Sequence, residues 1–349
     1  MKTAAEFAVI GLIGFLVFAS VYNIGLASDS SRAYLVLLCG ALFFASSLVS
    51  SFGRIGRSIG DAVSWFATIT VAFVVLVSLP LPVSFVPLLV PQTATVYNVS
   101  QGDIDGTRLA IHLDVVNAEI NILGWNLSGY QLLSELTARA LTQRAAERLL
   151  SRCALKVDTR GENMTIGLSG SRLLRQRMKS VITLRLPTNV TTNLYLSAIN
   201  GTVNLTRLES GAVRVHLSSG FIVAESMRAW TCDMSVEKGR IAADVDGRKI
   251  SLRTSSGGIV LESLRPETDI ELETVKGPIA VRLNLSRDVG CSVEASTIGG
   301  YIRVNLTNVV FTRRTTGFVL ARTKDLEDKK FKTTVVARST AGNITISQV

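Results

Sequence analysis

The chain has only two histidines and four cysteines in 349 residues, which leaves little from which to build a metal or redox centre. His112 and His216 stand in alternating, strand-like runs with no Ser/His/Asp arrangement readable around either. No CxxC, HExxH or phosphate-cradling glycine loop occurs, and Gly257-Gly258 and Gly299-Gly300 read as strand corners. Cys39 falls in an apolar run, and Cys153, Cys232 and Cys291 are an odd set with no disulfide framework. Aromatic residues are 6% of the chain, and among the basic residues only Arg172, Arg175, Arg177 and Lys179 cluster. A nucleic-acid reader shows a basic face with aromatics set into it, so no nucleic-acid partner is expected. These absences also argue against a cofactor and against a catalytic centre.

Repetition fills the space that motifs leave. Gly201, Gly220, Gly239, Gly257, Gly277, Gly300, Gly317 and Gly342 are spaced 19, 19, 18, 20, 23, 17 and 25 residues apart. Each has an aliphatic residue two places on (Val203, Ile222, Ile241, Ile259, Ile279, Ile302, Val319, Ile344) and an apolar one four places on. Five places before most of them stand further apolar residues, such as Leu196, Val215, Leu252 and Leu272, with polar residues between the columns. Each unit therefore reads as two short period-2 strands joined at a glycine corner. A repeat near 20 residues that cannot bury its apolar face alone signals a solenoid, and residues 190–349 are read as a parallel β-solenoid. An antiparallel sandwich also yields short alternating strands, but it has no reason to hold one glycine in phase over eight units. Rungs stacked about 4.8 Å apart would turn each inward column into a continuous aliphatic ladder.

Long uncharged runs occupy the first quarter, at 7–28, 33–53 and 62–102, each sufficient for a spanning helix of about 20 residues. Transmembrane segments are expected at 7–27, 33–51 and 62–80. Four of the seven prolines, Pro80, Pro82, Pro87 and Pro91, then mark an apolar extended stalk, so residues 1–91 form a membrane domain. Arg54 and Arg57 in the 52–61 loop, with Lys2 ahead of the first span, place the N-terminus and that loop in the cytoplasm and everything after residue 91 outside. A cleaved signal peptide ending near Gly25-Leu26-Ala27 is the alternative for the first segment, and it leaves the large domain on the same side. Nine Asn-x-Ser/Thr sequons, at Asn98, Asn126, Asn163, Asn189, Asn200, Asn204, Asn284, Asn305 and Asn343, all lie beyond residue 91. They agree with an extracytoplasmic domain and N-glycosylation, Asn200 and Asn98 being the favoured sites; with so little cysteine, an archaeal envelope is the preferred setting.

Between stalk and repeats, 92–189 reads as a β-rich segment. Leu109, Ile111 and Leu113 alternate, and Val115 to Ile122 has the form of a repeat with Ala118 in the glycine's place. Another strand carries Leu132, Leu136 and Ala138 on one face. Thr142 is placed to N-cap a helix over 142–152 with Ala145, Ala146, Leu149 and Leu150 as its apolar stripe, a candidate cap for the open end of the solenoid. Leu155, Val157, Met164 and Ile166 flank Arg160-Gly161 as a hairpin, and a basic connector at 171–180 leads to a strand at 181–186.

The run from Leu113 to Trp125, the segment Leu184-Arg185-Leu186-Pro187 and the units of the form Asn200-Gly201-Thr202-Val203 together resemble the bacterial and archaeal "putative adhesin" domain-of-unknown-function family. The resemblance covers about 108–349. It implies an extracytoplasmic β-solenoid and brings no catalytic motif; Ala118 departs from the family's usual glycine.

The fold expected is thus three transmembrane helices followed by an all-β parallel solenoid with one short capping helix. One side-chain constellation emerges from the repeat. Five places after successive glycines come Glu225, Asp244, Glu262 and Arg282, which would stack outward one rung apart. Three stacked carboxylates could hold a divalent cation or supply the acids of a sugar-cleaving β-helix, although a solvated, mixed-charge face explains them more simply. The function read from the sequence is that of a cell-surface, adhesin-like or envelope scaffold protein, not an enzyme. A polysaccharide-active β-helix enzyme and an envelope-stress sensor component are the alternatives. Expected partners are the lipid bilayer and an envelope glycan or surface protein, with homo-oligomerisation left open. Cys232 and Cys291, about three rungs or roughly 14 Å apart, should stay unpaired.

Overall fold

The computed structural model describes residues 91–349 apart from 105, 264 and 325. The three membrane spans and the stalk lie outside the described residues, among which no helix is long and apolar enough to cross a membrane. Residues 94–138 and 147–349 form one compact unit.

Alternation of apolar and polar residues makes almost all of this unit strand. In chain order the elements are β1 (Gln92–Gly102), β2 (Arg108–Trp125), β3 (Tyr130–Ala140), α1 (Gln143–Ser151), β4 (Leu155–Arg160), β5 (Asn163–Leu168), α2 (Arg172–Gln176), β6 (Met178–Pro187), β7 (Thr191–Thr206) and β8 (Glu209–Ser256). They are followed by β9 (Ile259–Ser263), β10 (Asp269–Lys276), β11 (Ile279–Leu283), β12 (Val289–Gly299), β13 (Ile302–Asn305), β14 (Val309–Arg314), β15 (Phe318–Thr323), β16 (Phe331–Ala341) and β17 (Ile344–Gln348). α1 starts where the sequence places it, Thr142 Oγ1 accepting from the Ala145 amide at 3.2 Å, and Ala146 and Leu150 are buried. The basic connector is in part helical: α2 is capped by Ser171, whose side chain accepts from Leu174 N.

The glycines do not interrupt the strands. β7 passes through Gly201 and the 48-residue β8 passes through Gly220 and Gly239, because each corner is a single residue at positive φ inside a strand that keeps its pairing. Gly201, Gly220, Gly239, Gly257 and Gly277 have φ between 136° and 151°, a region L side chains rarely enter. Close approach is the second reason for glycine. A Cβ at Gly220 would overlap the carbonyl oxygen of Gly201, one at Gly239 that of Gly220, and one at Gly257 that of Gly239, so the glycines form a column in direct backbone contact.

Following that contact gives the order of the rungs, which is not the order of the sequence. The column runs Ala118, Gly201, Gly220, Gly239, Gly257, Gly277, Gly342, Gly300. The rung built from β16 and β17 sits between two rungs that precede it in the chain: Ile344 pairs with Ile279 on one side and Ile302 on the other, and Ala337 pairs with Leu272 and Ala295. Gly317 is outside the column. It leads into β15, which runs antiparallel to β12 with Val319 opposite Ala295, and β14 then folds back antiparallel on β15. At the other end, β2 stacks parallel on β7 and, on its far side, on β5 and β6, to which β4 and β3 are joined antiparallel.

Charge favours the inserted rung. Stacking β12 directly on β10 in this register would set Glu271 against Glu294, since both face Val336. Insertion places Arg338 between them, with ion pairs of 3.7 Å to each. Like charges directly opposed across strands are destabilising and opposite ones favourable by roughly 0.2–1 kcal/mol per pair.

Inside the stack, the residues two places after the glycines in the interior rungs, Val203, Ile222, Ile241, Ile259, Ile279 and Ile344, are at most 1% exposed. At the end of the column Ile302 and Val304 are only half-buried, because β13 has its parallel partner β17 on one side. Burial of one such side chain is worth about 1.5–3 kcal/mol, a gain available only between neighbours. Replacing Gly239 by Ala, which combines φ of 151° with a carbonyl in the way of Cβ, should cost about 3 kcal/mol or more. Gly161→Ala, at φ 57° in the β4–β5 turn with nothing within 4 Å, should cost about 1 kcal/mol. Paired urea unfolding curves measure the difference.

Candidate functional site

The four residues singled out by the repeat lie in consecutive rungs, but they do not act as one cluster. Asp244 pairs in register with Glu262, and Glu262 with Arg282. The Arg282 guanidinium reaches Glu262 at 3.8 Å, and Asp244 Oδ2 accepts the amide of Ser226 at 3.1 Å. Ser226 has φ of 52°, an unfavourable turn for a non-glycine residue, so Asp244 holds the bend that follows Glu225. Glu225 itself is exposed. Among the described residues no group of three or more His, Cys, Asp or Glu side chains could hold a metal ion.

A second ladder, on the strands before the corners, becomes visible only once the order of the rungs is known. Arg253 pairs with Glu271 at 3.2 Å and Glu273 at 3.8 Å, and Arg338 then links Glu271 to Glu294 at 3.7 Å each. Charge alternates through four rungs on a half-exposed face. Hydroxyls form another column, three places before the corner: Thr254, Thr274, Ser339 and Thr297 donate to the carbonyls of Gly239, Gly257, Gly277 and Gly342. Each hydroxyl satisfies a glycine carbonyl of the preceding rung. Asparagines stack in the first rungs, Asn200 Nδ2 donating to Asn117 Oδ1 at 3.0 Å and Asn204 Nδ2 to Asn121 Oδ1 at 2.7 Å.

The histidines are part of the same surface. His112 stacks on Tyr195 with ring centroids 4.7 Å apart, and His216 Nδ1 lies 2.9 Å from Ser235 Oγ. Shallow hollows dent the surface of the described residues, two of them bordered by charged side chains. One of about 310 Å³ is bordered by Val310, Arg322, Lys324 and Glu327. The other, of about 340 Å³, is bordered by Glu209, Arg228, Trp230 and Arg265, none of which the repeat pattern singles out.

Cys232 and Cys291 are free and buried, four rungs apart in the column order and not three, hence separated by roughly 19 Å along the stack. Burial pushes both thiols up to about 12, helped at Cys232 by the neighbouring Asp233 carboxylate. Burial also raises the Cys153 thiol, against the opposing charge of Arg175. A thiol that ionises more easily unfolded favours the unfolded chain as pH rises, so stability should fall from about pH 8.5 upward. Native protein at pH 8 should leave Cys232 and Cys291 unalkylated by iodoacetamide and unpaired in a non-reducing digest. Asp244→Ala should cost about 1–2 kcal/mol through the lost turn bond, whereas Glu225→Gln should stay within about 0.5 kcal/mol, both read from melting curves.

Residues 188–347 match the model of a family described as Toastrack DUF4097, and over this segment the resemblance read from the sequence holds. No curated protein matches the sequence. Among solved structures, a "putative cell adhesion protein" from Clostridium sporogenes ATCC 15579 is 12% identical, with 73% of this chain and 100% of that one covered, at a TM-score of 0.36. A "putative adhesin" from Bacteroides fragilis NCTC 9343 is 8% identical, with 72% and 97% covered, at a TM-score of 0.28.

Proposed function

We propose that this chain is a membrane-anchored, N-glycosylated cell-surface β-solenoid that works by presenting surface, as an adhesin-like or envelope scaffold protein and not as an enzyme. The observation that carries this reading is the exposed strand face itself. Its carboxylates are spread over successive rungs and matched by arginines, as in the series from Arg253 to Glu294, so each stands in an ion pair on a mixed-charge face. A rigid, repetitive face of mixed charge suits extended contact with another surface.

Three membrane spans at 7–27, 33–51 and 62–80 anchor the solenoid on the outside of the cell, in our reading an archaeal envelope. Protease added to intact cells should then remove the region after residue 91 and spare the 52–61 loop. A protected C-terminal region would overturn the orientation.

Exposure and side-chain bonding together divide the nine sequons, Asn200 being exposed but bonded. Asn98, Asn126, Asn163, Asn189, Asn284 and Asn305 are exposed. Asn200 and Asn204 have committed their side-chain nitrogen, the atom a glycan would be joined to, to the asparagine ladders, and Asn343 Oδ1 accepts the amide of Tyr301. Asn200 is therefore a poorer acceptor than its position at a corner suggests. Glycopeptide mass spectrometry of native protein should find hexose on several of the first six sites and none on Asn200 or Asn204; bare asparagine at all nine would remove glycosylation from this account.

A further inference from the structure

We propose that the hollow around Trp230 binds a carboxylated sugar, of the uronic-acid class, as the contact by which this surface recognises an acidic glycan. This rests on the reading of the chain as a surface-presenting protein only for its biological setting; the site is built from residues of the solenoid alone.

Trp230 is 55% exposed, and unlike the exposed apolar side chains Phe221 and Ile298 it has arginines gathered over its ring. Three arginines surround it, delivered by successive turns of the chain at the corner opposite the glycine column. Arg248 lies over the ring at 4.8 Å from its centroid and is held by Glu267 at 3.8 Å. Arg265 lies at 6.0 Å and has no carboxylate partner among the described residues, while Arg228 contacts Glu209 at 3.4 Å. Three guanidinium groups against two carboxylates leave the site net positive, with Arg265 the free charge. Guanidinium is the side chain best suited to grip a carboxylate through two parallel hydrogen bonds.

The remaining walls favour a sugar over a simple anion. Glu209 offers acceptor oxygens, Thr191 offers a hydroxyl, and Trp230 borders the hollow with the part of its indole that the arginines leave uncovered, an apolar edge against which the C–H face of a pyranose can rest. At about 340 Å³ the hollow is at the small end of the range for small-molecule sites, which begins at about 300 Å³. A stable protein partner would need roughly 800 Å² on each side, far beyond such a dent. Its backbone is fixed by the stacked strands, so little ordering is needed on binding.

The test uses the full-length protein in detergent and three probes: tetragalacturonate, the neutral maltotetraose, and a short poly-glutamate peptide. Calorimetry should show saturable binding of tetragalacturonate that weakens with added salt, and binding of maltotetraose at least about tenfold weaker. Trp230→Ala and Arg265→Ala should each weaken tetragalacturonate about tenfold while the melting temperature stays within a few degrees, since both side chains stand clear of the core. Arg265→Lys should recover only part of the loss, because a point charge lacks the two-pronged geometry. The proposal fails if tetragalacturonate does not bind, if the neutral sugar binds equally well, or if neither variant changes its affinity. Equal or tighter binding of poly-glutamate would replace the glycan by an acidic peptide. Protease protection of the C-terminal region would remove the cell-surface setting and leave these binding results standing, so the two failures are distinguishable.

Discussion

The contact on which this molecule depends is the approach of a glycine Cα to a carbonyl oxygen one rung away, made with no room for a side chain. Where that contact is kept, a strand can turn at one residue without losing its pairing, and a 48-residue segment remains continuous sheet. Everything else in the stack is spaced by it. The aliphatic columns meet because the corners coincide, and the threonine and serine hydroxyls three places earlier reach glycine carbonyls for the same reason. The first position tolerates Ala118 because its backbone is not at positive φ, and it supplies the oxygen beneath Gly201.

Much of this was legible, and the limits of legibility have a physical cause. Alternation and the glycine phase are local properties, so Val203, Ile222 and their counterparts could be read as inward without knowing which rung lay beside which. The order of rungs is a long-range property. Nothing within residues 331–348 declares that they lie between β11 and β13, and Gly317 fits the local pattern while sitting in an antiparallel strand. The one signal available was electrostatic: Glu271 and Glu294 would have met in a sequential stack, and Arg338 carries the charge to separate them.

The same distinction governs the candidate sites. Glu225, Asp244, Glu262 and Arg282 could be found at a fixed offset from the glycines, but the offset could not show that Asp244 turns to serve the backbone at Ser226. Trp230 escaped notice because its neighbours Arg228, Arg248 and Arg265 are gathered by the far corner, where no glycine keeps phase. The surface thus carries two kinds of chemistry: a matched-charge face along the strands, and a small hollow at the corner bordered by Trp230, Arg228 and Arg265.

The inserted rung sets a condition on how the protein can be made. β12 and β13 leave the ribosome before β16 and β17, yet their permanent neighbours on the column side are β16 and β17. A solenoid ordered as its sequence could grow one turn at a time behind synthesis; here residues 289–305 meet β15 on one side before their column-side neighbours β16 and β17 have been made. Closing that interval demands contacts between segments separated by some sixty residues, as Asn343 and Ile279 are, and such contacts are slow to form. In the finished stack the rungs from Gly201 to Gly277 follow chain order, whereas β2 against β7 at one end and β16–β17 at the other each join segments more than sixty residues apart.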